Sequence, residues 1–535
     1  MKSVVYNISL LVVLSILVFT CANRGNPTGG DKDVMPPKIV KSVPENYSIN
    51  FKDNEISIYF NEYVKFKNLS KQLIISPPME YEPEITPYST ASKVIKIKIK
   101  DTLQPNTTYS FNFGNSIVDN NEENPFPFFK YVFSTGNYID SLKIYGKVFD
   151  ALDRVTEKNV LVNLYEVDST FNDSIVYKQK PRYMTNTQDS VTTFTIENIK
   201  AGNYKLVALK DNNEDNKFQQ KSDKIAFYDE VITVGQDSAY YELKLFKEAL
   251  DTKVMKPKLV SGEKISIGFE GDFKDITVTP VSTIPESFET RIIKEQEKDS
   301  LLYFYKPKLE IDSLLLRIAH SKEIDTFNVR IKDNRRDTLT IKSLNNGKLS
   351  FDDDFKLNAN IPFTAIDESR IKIIDKDSVS VTYTTELDSL NNTYKFKFPK
   401  KESNRYILEA LPEAFTDFFG RTNDSLNFKV STDKYASFGN IRVMLKNETY
   451  PLFIQFVNEK SEVVYSKYIT EKGNVDFTNL KPGVYYLRVL FDENNNGIYD
   501  SGNYLRGEQP ERASYAEKPI EVRASFDEIT NFTLD

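Results

Sequence analysis

The sequence predicts an all-β protein built from several tandem β-sandwich domains. Short runs such as KVIKIKIK and NVLVNLYEV alternate apolar with polar or charged residues, as strands with one buried face do. Turn residues separate these runs at intervals of roughly 8–12 residues, which is typical of antiparallel sandwiches. Beyond about residue 34 no convincing helical period occurs, and a chain of 535 residues has room for roughly three to five domains.

The N-terminal residues have the features of an export signal. Lys2 supplies a positive start, and the apolar run Ile8–Phe19 is interrupted only by Ser9 and Ser15. This run is shorter than the roughly 20 residues that a membrane-spanning helix needs, but it suits the apolar region of a signal peptide. We therefore expect residues 1–20 to be a signal peptide.

The single cysteine of the chain, Cys21, directly follows this signal. The run Leu-Val-Phe-Thr-Cys at residues 17–21 resembles the bacterial lipoprotein signal, in which the cysteine is lipidated and becomes the new N-terminus. The resemblance implies attachment to a membrane through a lipid on Cys21. Residues 21–35 are polar and rich in Gly and Pro, which predicts a flexible tether between the lipid and the folded part.

Two segments of the chain repeat each other without a gap. IKAGNYKLVALKDNNEDNKF aligns with LKPGVYYLRVLFDENNNGIY at a constant offset of 281, which pairs Gly202 with Gly483, Tyr204 with Tyr485, and Asp211 with Asp492. A weaker similarity links residues 114–135 with residues 412–432. Repeats of this length indicate duplicated domains, so we expect two arms, each a sandwich followed by a smaller β module.

The segment 36–136 resembles the SbsA-type bacterial Ig-like domain. The resemblance rests on the Pro-Pro opening, on LQPNTTYSFNF with Tyr109, on the acidic turn IVDNNEEN and on the final FSTG. It implies a β-sandwich of the kind found in exported proteins, and residues 337–433 resemble it more loosely, as a divergent second Ig-like domain. Together with Cys21 and the tether, the N-terminal part resembles Ig-like lipoproteins of Bacteroidota.

The segments 142–247 and 438–535 resemble prealbumin-like or carboxypeptidase-regulatory-like β modules. The resemblance rests on a strand pair followed by an aromatic residue, Gly and Tyr, here Phe194 to Tyr204 and Phe477 to Tyr485. Such modules are scaffolds without peptidase chemistry. Residues 255–332 are rich in predicted strands and resemble no family that we can name.

Composition excludes several classes of function. One cysteine and one histidine, His320, rule out zinc sites built from Cys and His, as well as Cys–His nucleophilic pairs. The net charge of −7 provides no electrostatic reason to bind nucleic acid. We therefore expect no enzymatic activity and no nucleic-acid partner.

The loop at residues 492–500 matches half of a calcium-binding loop. Asp492, Asn494 and Asn496 occupy alternate positions, Gly497 permits the sharp bend, and the Ile498 carbonyl and Asp500 follow. The match stops at Asn503, where a bidentate Glu is needed, so any calcium binding should be weak. The alternative is a hairpin in which Asn and Asp cap their own turn without an ion.

The tripeptide Asp-Ser/Thr followed by Ala, Ile, Leu, Val or Thr recurs along the chain. It resembles the O-glycosylation signal of exported Bacteroidota proteins, which would place sugars on Ser141, Ser313 and Ser425. The alternative is that Asp-Ser serves as turn chemistry before a strand. We also considered Tyr485, Tyr486, Tyr499 and Tyr504 as residues that stack on a sugar, with core packing as the alternative.

These observations predict an exported, lipid-anchored outer-membrane protein with a structural or adhesion role, on either face of that membrane. Two alternatives remain open at the level of the sequence. The protein would be a subunit of an envelope complex for secretion, gliding or uptake, or a glycan-binding accessory protein.

Overall fold

The structure, a computed structural model, describes residues 32–187, 192–235, 239–321 and 323–534. The predicted signal peptide 1–20, Cys21 and most of the predicted tether 21–35 lie outside these described residues. The described residues form 41 strands, two helices of four residues each and two 3-10 turns. The prediction of an all-β fold of tandem sandwiches is therefore confirmed.

Unit 1, residues 36–136, consists of two antiparallel sheets. One sheet has the strand order β1-β2-β5-β4, with β7 on the far end of β2, and the other has the order β3-β6-β8. In β5 the residues Ile95 and Ile97 are buried and the lysine that follows each of them is exposed, as the period of two predicts. The elements are β1 (Ile39–Val43), β2 (Glu55–Phe66), α1 (Leu69–Gln72), β3 (Ile74–Ser76), β4 (Glu84–Thr86), β5 (Ser92–Lys98), β6 (Thr108–Asn112), β7 (Ile117–Asp119) and β8 (Lys130–Ser134).

Unit 2, residues 142–247, combines a sheet of order β11-β10-β13-β14 with a smaller sheet of order β12-β9-β16. The short strand β15 pairs with the start of β13, and β16 runs parallel to β9. The elements are β9 (Leu142–Asp150), β10 (Leu161–Glu166), α2 (Ile175–Lys178), β11 (Tyr183–Asn186), β12 (Thr193–Ile199), β13 (Gly202–Lys210), β14 (Lys224–Phe227), β15 (Ile232–Val234) and β16 (Tyr240–Leu245).

Unit 3, residues 253–332, begins two residues before the predicted start at residue 255, because β17 already pairs with β19. Its sheets have the orders β17-β19-β22-β21, with β18 also paired with β19, and β20-β23-β24. The strands are β17 (Lys253–Val254), β18 (Lys258–Ser261), β19 (Lys264–Glu270), β20 (Thr277–Pro280), β21 (Glu289–Lys294), β22 (Ser300–Lys306), β23 (Ser313–His320) and β24 (Glu323–Arg330).

Unit 4, residues 337–433, has sheets of order β25-β26-β30-β29 and β28-β31-β33, and a separate pair β27-β32. A 3-10 turn, Glu368–Arg370, precedes β28. The strands are β25 (Ile341–Ser343), β26 (Phe355–Ala359), β27 (Phe363–Ile366), β28 (Ile371–Ile374), β29 (Thr384–Asp388), β30 (Thr393–Lys397), β31 (Arg405–Ala410), β32 (Phe415–Asp417) and β33 (Leu426–Ser431).

Unit 5, residues 438–534, has sheets of order β36-β35-β38-β39, with β40 on β38, and β37-β34-β41. A 3-10 turn, Tyr435–Ser437, leads into it, and β41 runs parallel to β34. The strands are β34 (Gly439–Lys446), β35 (Leu452–Val457), β36 (Val463–Ile469), β37 (Val475–Leu480), β38 (Gly483–Phe491), β39 (Ala513–Tyr515), β40 (Ile520–Val522) and β41 (Asp527–Thr533).

Units 2 and 5 share one topology, which confirms the repeat at offset 281. Strand order, the short strand on the central strand and the parallel last strand all agree. The repeated tyrosines make the same hydrogen bond in both copies. The Tyr204 hydroxyl donates to the Lys200 carbonyl and the Tyr485 hydroxyl to the Lys481 carbonyl, each at 2.9 Å. Each tyrosine thereby closes the turn before its own strand.

Units 1 and 4 also share a topology, so the weaker repeat is real. The hydroxyls of Tyr109 and Tyr406 each accept the backbone N–H of the residue five positions earlier, at 2.9 and 2.7 Å. The carboxylates of Asp119 and Asp417 each accept backbone N–H groups of the turn that follows them. A tyrosine and an aspartate therefore fix corresponding corners of both sandwiches.

Unit 3 has the same strand order as units 1 and 4, which the sequence did not reveal. When β17 is left out and β26 and β27 of unit 4 are counted as one interrupted strand, the four-stranded path of each unit runs first-second-fifth-fourth and the second sheet runs third-sixth-last. Each of the five units has its own cluster of buried apolar residues between its two sheets. Full burial of one such side chain contributes about 1.5–3 kcal/mol, so each unit has a substantial core of its own.

Candidate functional site at the contact between units 2 and 5

The two Asp/Asn loops begin at the ends of the repeated strands β13 and β38. Asp211 accepts the N–H groups of Asn213, Glu214 and Asn216 at 3.0, 2.8 and 2.7 Å. Burial raises the pKa of the Asp211 carboxyl, and these N–H groups oppose that shift. Carboxylates that accept several backbone N–H groups close a turn without any ion.

The second loop uses its aspartate in the same way. Asp492 accepts the N–H groups of Asn496 at 3.0 Å and Gly497 at 2.9 Å, and the Tyr468 hydroxyl at 2.6 Å. Burial pushes the pKa of Asp492 upward, but the Tyr468 hydroxyl and the backbone N–H groups outweigh it, so this pKa lies below its usual value.

The two loops have left-handed residues at the same two positions. Glu214 and Asn216 of the first loop have positive φ angles of 60° and 59°, and Asn495 and Gly497 of the second have 61° and 78°. Asn216 thus takes the left-handed position that Gly497 holds in the other copy, because Asn tolerates this conformation better than most residues. The missing glycine of the first loop does not change the turn.

The residues predicted to ligate calcium lie together in the second loop. The side-chain amides of Asn494 and Asn496 donate to Asp500 Oδ2 at 2.6 and 2.7 Å, and their own oxygens accept N–H groups of the turn. The Ile498 side chain is exposed. Within the part of the chain that the structure describes, no group of three or more His, Cys, Asp and Glu side chains is arranged to hold a metal ion. A calcium ion would therefore have to displace hydrogen bonds that already satisfy this loop, and the calcium site stays a prediction.

The second loop continues into residues 499–511, which we call the latch and which form a longer connection than the one that leads to β14 in unit 2. Its base is fixed by Glu511, which is 7% exposed and accepts the N–H groups of Glu493 at 2.7 Å and Asp500 at 2.9 Å. The Tyr499 hydroxyl donates to the Glu511 carbonyl at 3.1 Å. The Asp/Asn loop and Glu511 together fix the base of the latch.

Tyr504, in the middle of the latch, is buried in unit 2. It is 3% exposed, and its ring lies 5.3 Å from that of Phe227 at an interplanar angle of 77°. Its N–H donates to Glu248 Oε1 at 2.6 Å. Glu248 is itself buried, and burial raises the pKa of its carboxyl. The other buried members of this cluster, all from unit 2, are Ala151, Tyr165, Val176, Val207, Leu209, Phe218, Ile225, Phe227 and Phe246.

Polar contacts flank this tyrosine on both sides. Gln509 Nε2 donates to the Phe227 carbonyl at 2.9 Å and to Asp229 Oδ1 at 2.6 Å. On the other side, Arg488 Nη1 and the Tyr515 hydroxyl donate to the Leu152 carbonyl at 3.0 and 2.7 Å. An aromatic anchor within a rim of hydrogen bonds is the usual anatomy of a specific protein interface.

Arg488 is held ready for this contact within unit 5. It is 4% exposed, and its Nε and Nη2 donate to Gln455 Oε1 at 3.0 and 2.7 Å. Arg154 of unit 2 makes a cation–π contact with Tyr486, and its guanidinium carbon lies 4.3 Å from the centroid of the Tyr486 ring. Buried charged groups need such partners, so this arginine is fixed in place for the contact with unit 2.

The contact between units 2 and 5 closes a ring of four units. Each of the units 2 to 4 contacts the next unit along the chain, and unit 5 contacts unit 2, so the four units form a closed ring. The remaining joints of the ring bring together Lys221 with Glu270, Phe304 with Phe419, and Phe351 with Phe438.

The structure assigns other roles to the tyrosines considered for sugar stacking. Tyr485 and Tyr504 are buried, the Tyr486 ring stacks against the guanidinium of Arg154, and the half-buried Tyr499 donates its hydroxyl to the Glu511 carbonyl. Burial of the first two is incompatible with stacking on a sugar from solvent. Of the serines predicted to carry sugars, Ser141 and Ser425 are exposed and Ser313 is half-buried at the start of β23, so the first two are accessible to modification.

Sequence reasoning did not identify Tyr504, Arg488 or Gln509 as contact residues. A signal was present in the length difference between the copies, because β39 begins 21 residues after Asp492, whereas β14 begins 13 residues after Asp211. An insertion after a repeated loop indicates a function specific to one copy.

Comparison with known proteins identifies one domain. Residues 33–135 match the family described as bacterial Ig-like domain, which confirms the resemblance of the segment 36–136. No curated protein matches the sequence. Among the described residues, no helix is long and apolar enough to cross a membrane.

Several solved structures of multidomain β proteins are similar to the chain. Domains 1–6 of the surface layer protein SbsC are 11% identical, cover 91% of this chain and 67% of their own, and have a TM-score of 0.16. The TIE protein of Bacillus anthracis is 10% identical, with coverages of 95% and 76% and a TM-score of 0.14. The I9–I11 tandem from titin is 8% identical, with coverages of 52% and 100% and a TM-score of 0.12. Identities and TM-scores this low support no conclusion about function.

Proposed function

We propose that this protein is a structural scaffold of the bacterial cell envelope that presents a closed assembly of β-sandwiches. The observation that carries the proposal is the buried contact of Tyr504 with unit 2. Sandwiches joined only by linkers would bend at each joint, whereas a ring of four units fixes its members relative to one another. A fixed assembly offers a defined surface for adhesion or docking. The bacterial Ig-like domain at residues 33–135 supports a surface or structural role.

Export and anchoring complete the proposal. The apolar run Ile8–Phe19 directs export, and Cys21 receives the lipid that holds the protein at the outer membrane. The Gly- and Pro-rich tether at residues 21–35 then separates the sandwiches from the membrane surface. In this proposal the scaffold has no catalytic role, and its attachment needs no membrane-spanning helix.

Fractionation of cells that produce the wild-type protein or Cys21→Ser tests the anchoring. We expect the wild type in the outer-membrane fraction and the variant in the soluble fraction, with the same folded core in both. Accumulation of the wild type in the cytoplasm, or retention of Cys21→Ser in the membrane fraction, would refute this part of the proposal.

A glycan-binding accessory role is a second candidate, because a polar cleft lies where unit 1 meets unit 2.

A role as a subunit of an envelope complex is testable by cross-linking in intact cells. A single stoichiometric partner would favour it, and the absence of any cross-linked partner would count against it.

A further inference from the structure

Units 1 and 2 meet along the edges of two sheets, and a cleft opens beside that joint. The Ser76 hydroxyl of β3 bonds to both the N–H and the carbonyl of Met184 in β11, at 3.1 and 3.3 Å. Ile74, Leu161 and Met184 form a small buried cluster at the same place. The joint is therefore fixed by apolar and polar contacts, and the walls of the cleft have a defined spacing.

The cleft consists of two adjoining chambers of about 420 and 440 Å³, which share Lys71, Ile74, Asn159 and Asn186. Each volume lies within the range of small-ligand sites. The lining of the first chamber includes five asparagines, one glutamine and four threonines. Amide and hydroxyl groups donate and accept hydrogen bonds, which suits a ligand that is itself rich in hydroxyl groups.

The lining of the two chambers is balanced in charge, with four lysines and four Asp or Glu residues, and two pairs of these opposite charges form ion pairs within the cleft. Lys130 Nζ lies 2.6 Å from Glu197 Oε2, and Lys71 Nζ lies 2.8 Å from Glu214 Oε1. Neither lysine presents an uncompensated charge that would select an anion such as phosphate or carboxylate. An uncharged ligand fits this electrostatic balance better than an acidic one.

Phe128 adds an aromatic face to the wall of the first chamber. Its side chain is 50% exposed although it is apolar, and its backbone has a φ angle of +56°. A bulky residue rarely adopts the left-handed region. The Phe128 N–H donates to the Gly114 carbonyl at 2.8 Å, which holds the residue in this conformation.

Thr195 connects the cleft to the exposed face of the small sheet of unit 2. Thr195 lines the cleft and lies opposite Tyr145, which lies opposite Tyr240 on the next strand. Paired residues share a face of the sheet, so cleft and tyrosines form one surface about 10 Å across, two strand spacings. The two tyrosines are 42% and 50% exposed, with ring centroids 5.6 Å apart.

We propose that this surface, from Phe128 through the amide-lined cleft to Tyr145 and Tyr240, binds an uncharged oligosaccharide. Amides and hydroxyls would bond the sugar hydroxyls, and the exposed rings would cover the apolar faces of the sugars. The inference names the ligand class of the adhesion role proposed above and rests on that role. Anchoring at Cys21 is tested by cell fractionation, and closure of the ring is tested at the contact between units 2 and 5. A failure to bind sugar would therefore refute neither of them.

Binding of the full-length protein to a panel of neutral linear oligosaccharides, measured by titration calorimetry, tests the proposal. We expect Phe128→Gly and Tyr145→Ala each to weaken binding about tenfold, the usual effect of removing one aromatic anchor. Glycine is compatible with the φ angle at residue 128, so this variant keeps the fold.

Tyr47→Gly is the matched control, because Tyr47 is also exposed, lies in the same unit and has a φ angle of 65°, but does not line the cleft. Unchanged binding by this control supports the assignment. The proposal is overturned if no neutral oligosaccharide binds, if only acidic glycans or peptides bind, or if Tyr47→Gly weakens binding as much as Phe128→Gly does.

Discussion

Replacing Tyr504 by alanine should loosen the contact between units 2 and 5 while leaving both sandwiches folded. The Tyr504 ring is 3% exposed and packs among side chains of unit 2 only. Truncation of a buried aromatic residue to alanine costs about 3–5 kcal/mol. Because the ring is not part of the unit 5 core, that loss falls on the contact between the units rather than on either sandwich.

Hydrogen exchange of the full-length protein is the assay. A loss of about 3–5 kcal/mol corresponds to roughly a hundredfold to a thousandfold or more in the population of the open contact. We expect exchange to accelerate in residues 499–511 and in β14, and to stay slow in β35 and in the centre of β38. Leu505→Ala is the control, because Leu505 is the next residue of the latch and is 56% exposed.

Three results would refute this reasoning. Equal exchange in the wild type and Tyr504→Ala would show that the ring does not hold the contact. Loss of protection in the core strands of unit 5 would show that Tyr504 stabilises its own sandwich instead. An effect of Leu505→Ala as large as that of Tyr504→Ala would mean that the latch responds to any truncation.

Three further predictions concern charged groups near this contact. Asp492→Asn should lower the free energy of unfolding by about 1–3 kcal/mol at pH 7. Because the pKa of Asp492 is lowered in the folded state, the difference between the variant and the wild type should shrink as the pH falls below about 4. A difference that stays constant with pH would contradict the capping role. Burial raises the pKa of Glu248, so the contact between units 2 and 5 should weaken as the pH rises above the usual glutamate pKa of about 4.3. Glu248→Gln should remove this pH dependence of hydrogen exchange. The same pH dependence in Glu248→Gln and the wild type would contradict this role of Glu248. If the second loop binds calcium, millimolar calcium should raise the melting temperature of the wild type and not that of Asp500→Asn. An unchanged melting temperature of the wild type would show that the loop is a capped hairpin without an ion.

The duplicated part of the fold was predictable because its signals are local. Gly202, Tyr204 and Asp211 recur at offset 281, and each performs the same local task in both copies, from starting the strand to closing the turn. The period of two in the strands likewise follows from the sequence, as Ile95 and Ile97 show. Local hydrogen bonds and strand periods depend on neighbours in the chain, which a single sequence displays.

Unit 3 and the contact between units 2 and 5 were not predictable for the opposite reason. Unit 3 has the strand order of units 1 and 4, but its sequence was not recognised as an Ig-like repeat. Tyr504 is separated by 256 residues from its partner Glu248, and nothing in the latch sequence itself names that partner. A contact of this kind depends on how whole units pack, and a single sequence does not display it.

A distance measurement between units 2 and 5 tests the closed ring most directly. Cys21 is the only cysteine, so a Cys21→Ser background allows spin labels to be placed at Val231 and Leu505 alone, both of which are exposed. Pulsed electron resonance should give one narrow, short distance in the wild-type contact and a broader, longer distribution after Tyr504→Ala. A broad distribution in the wild-type contact would contradict the closed ring.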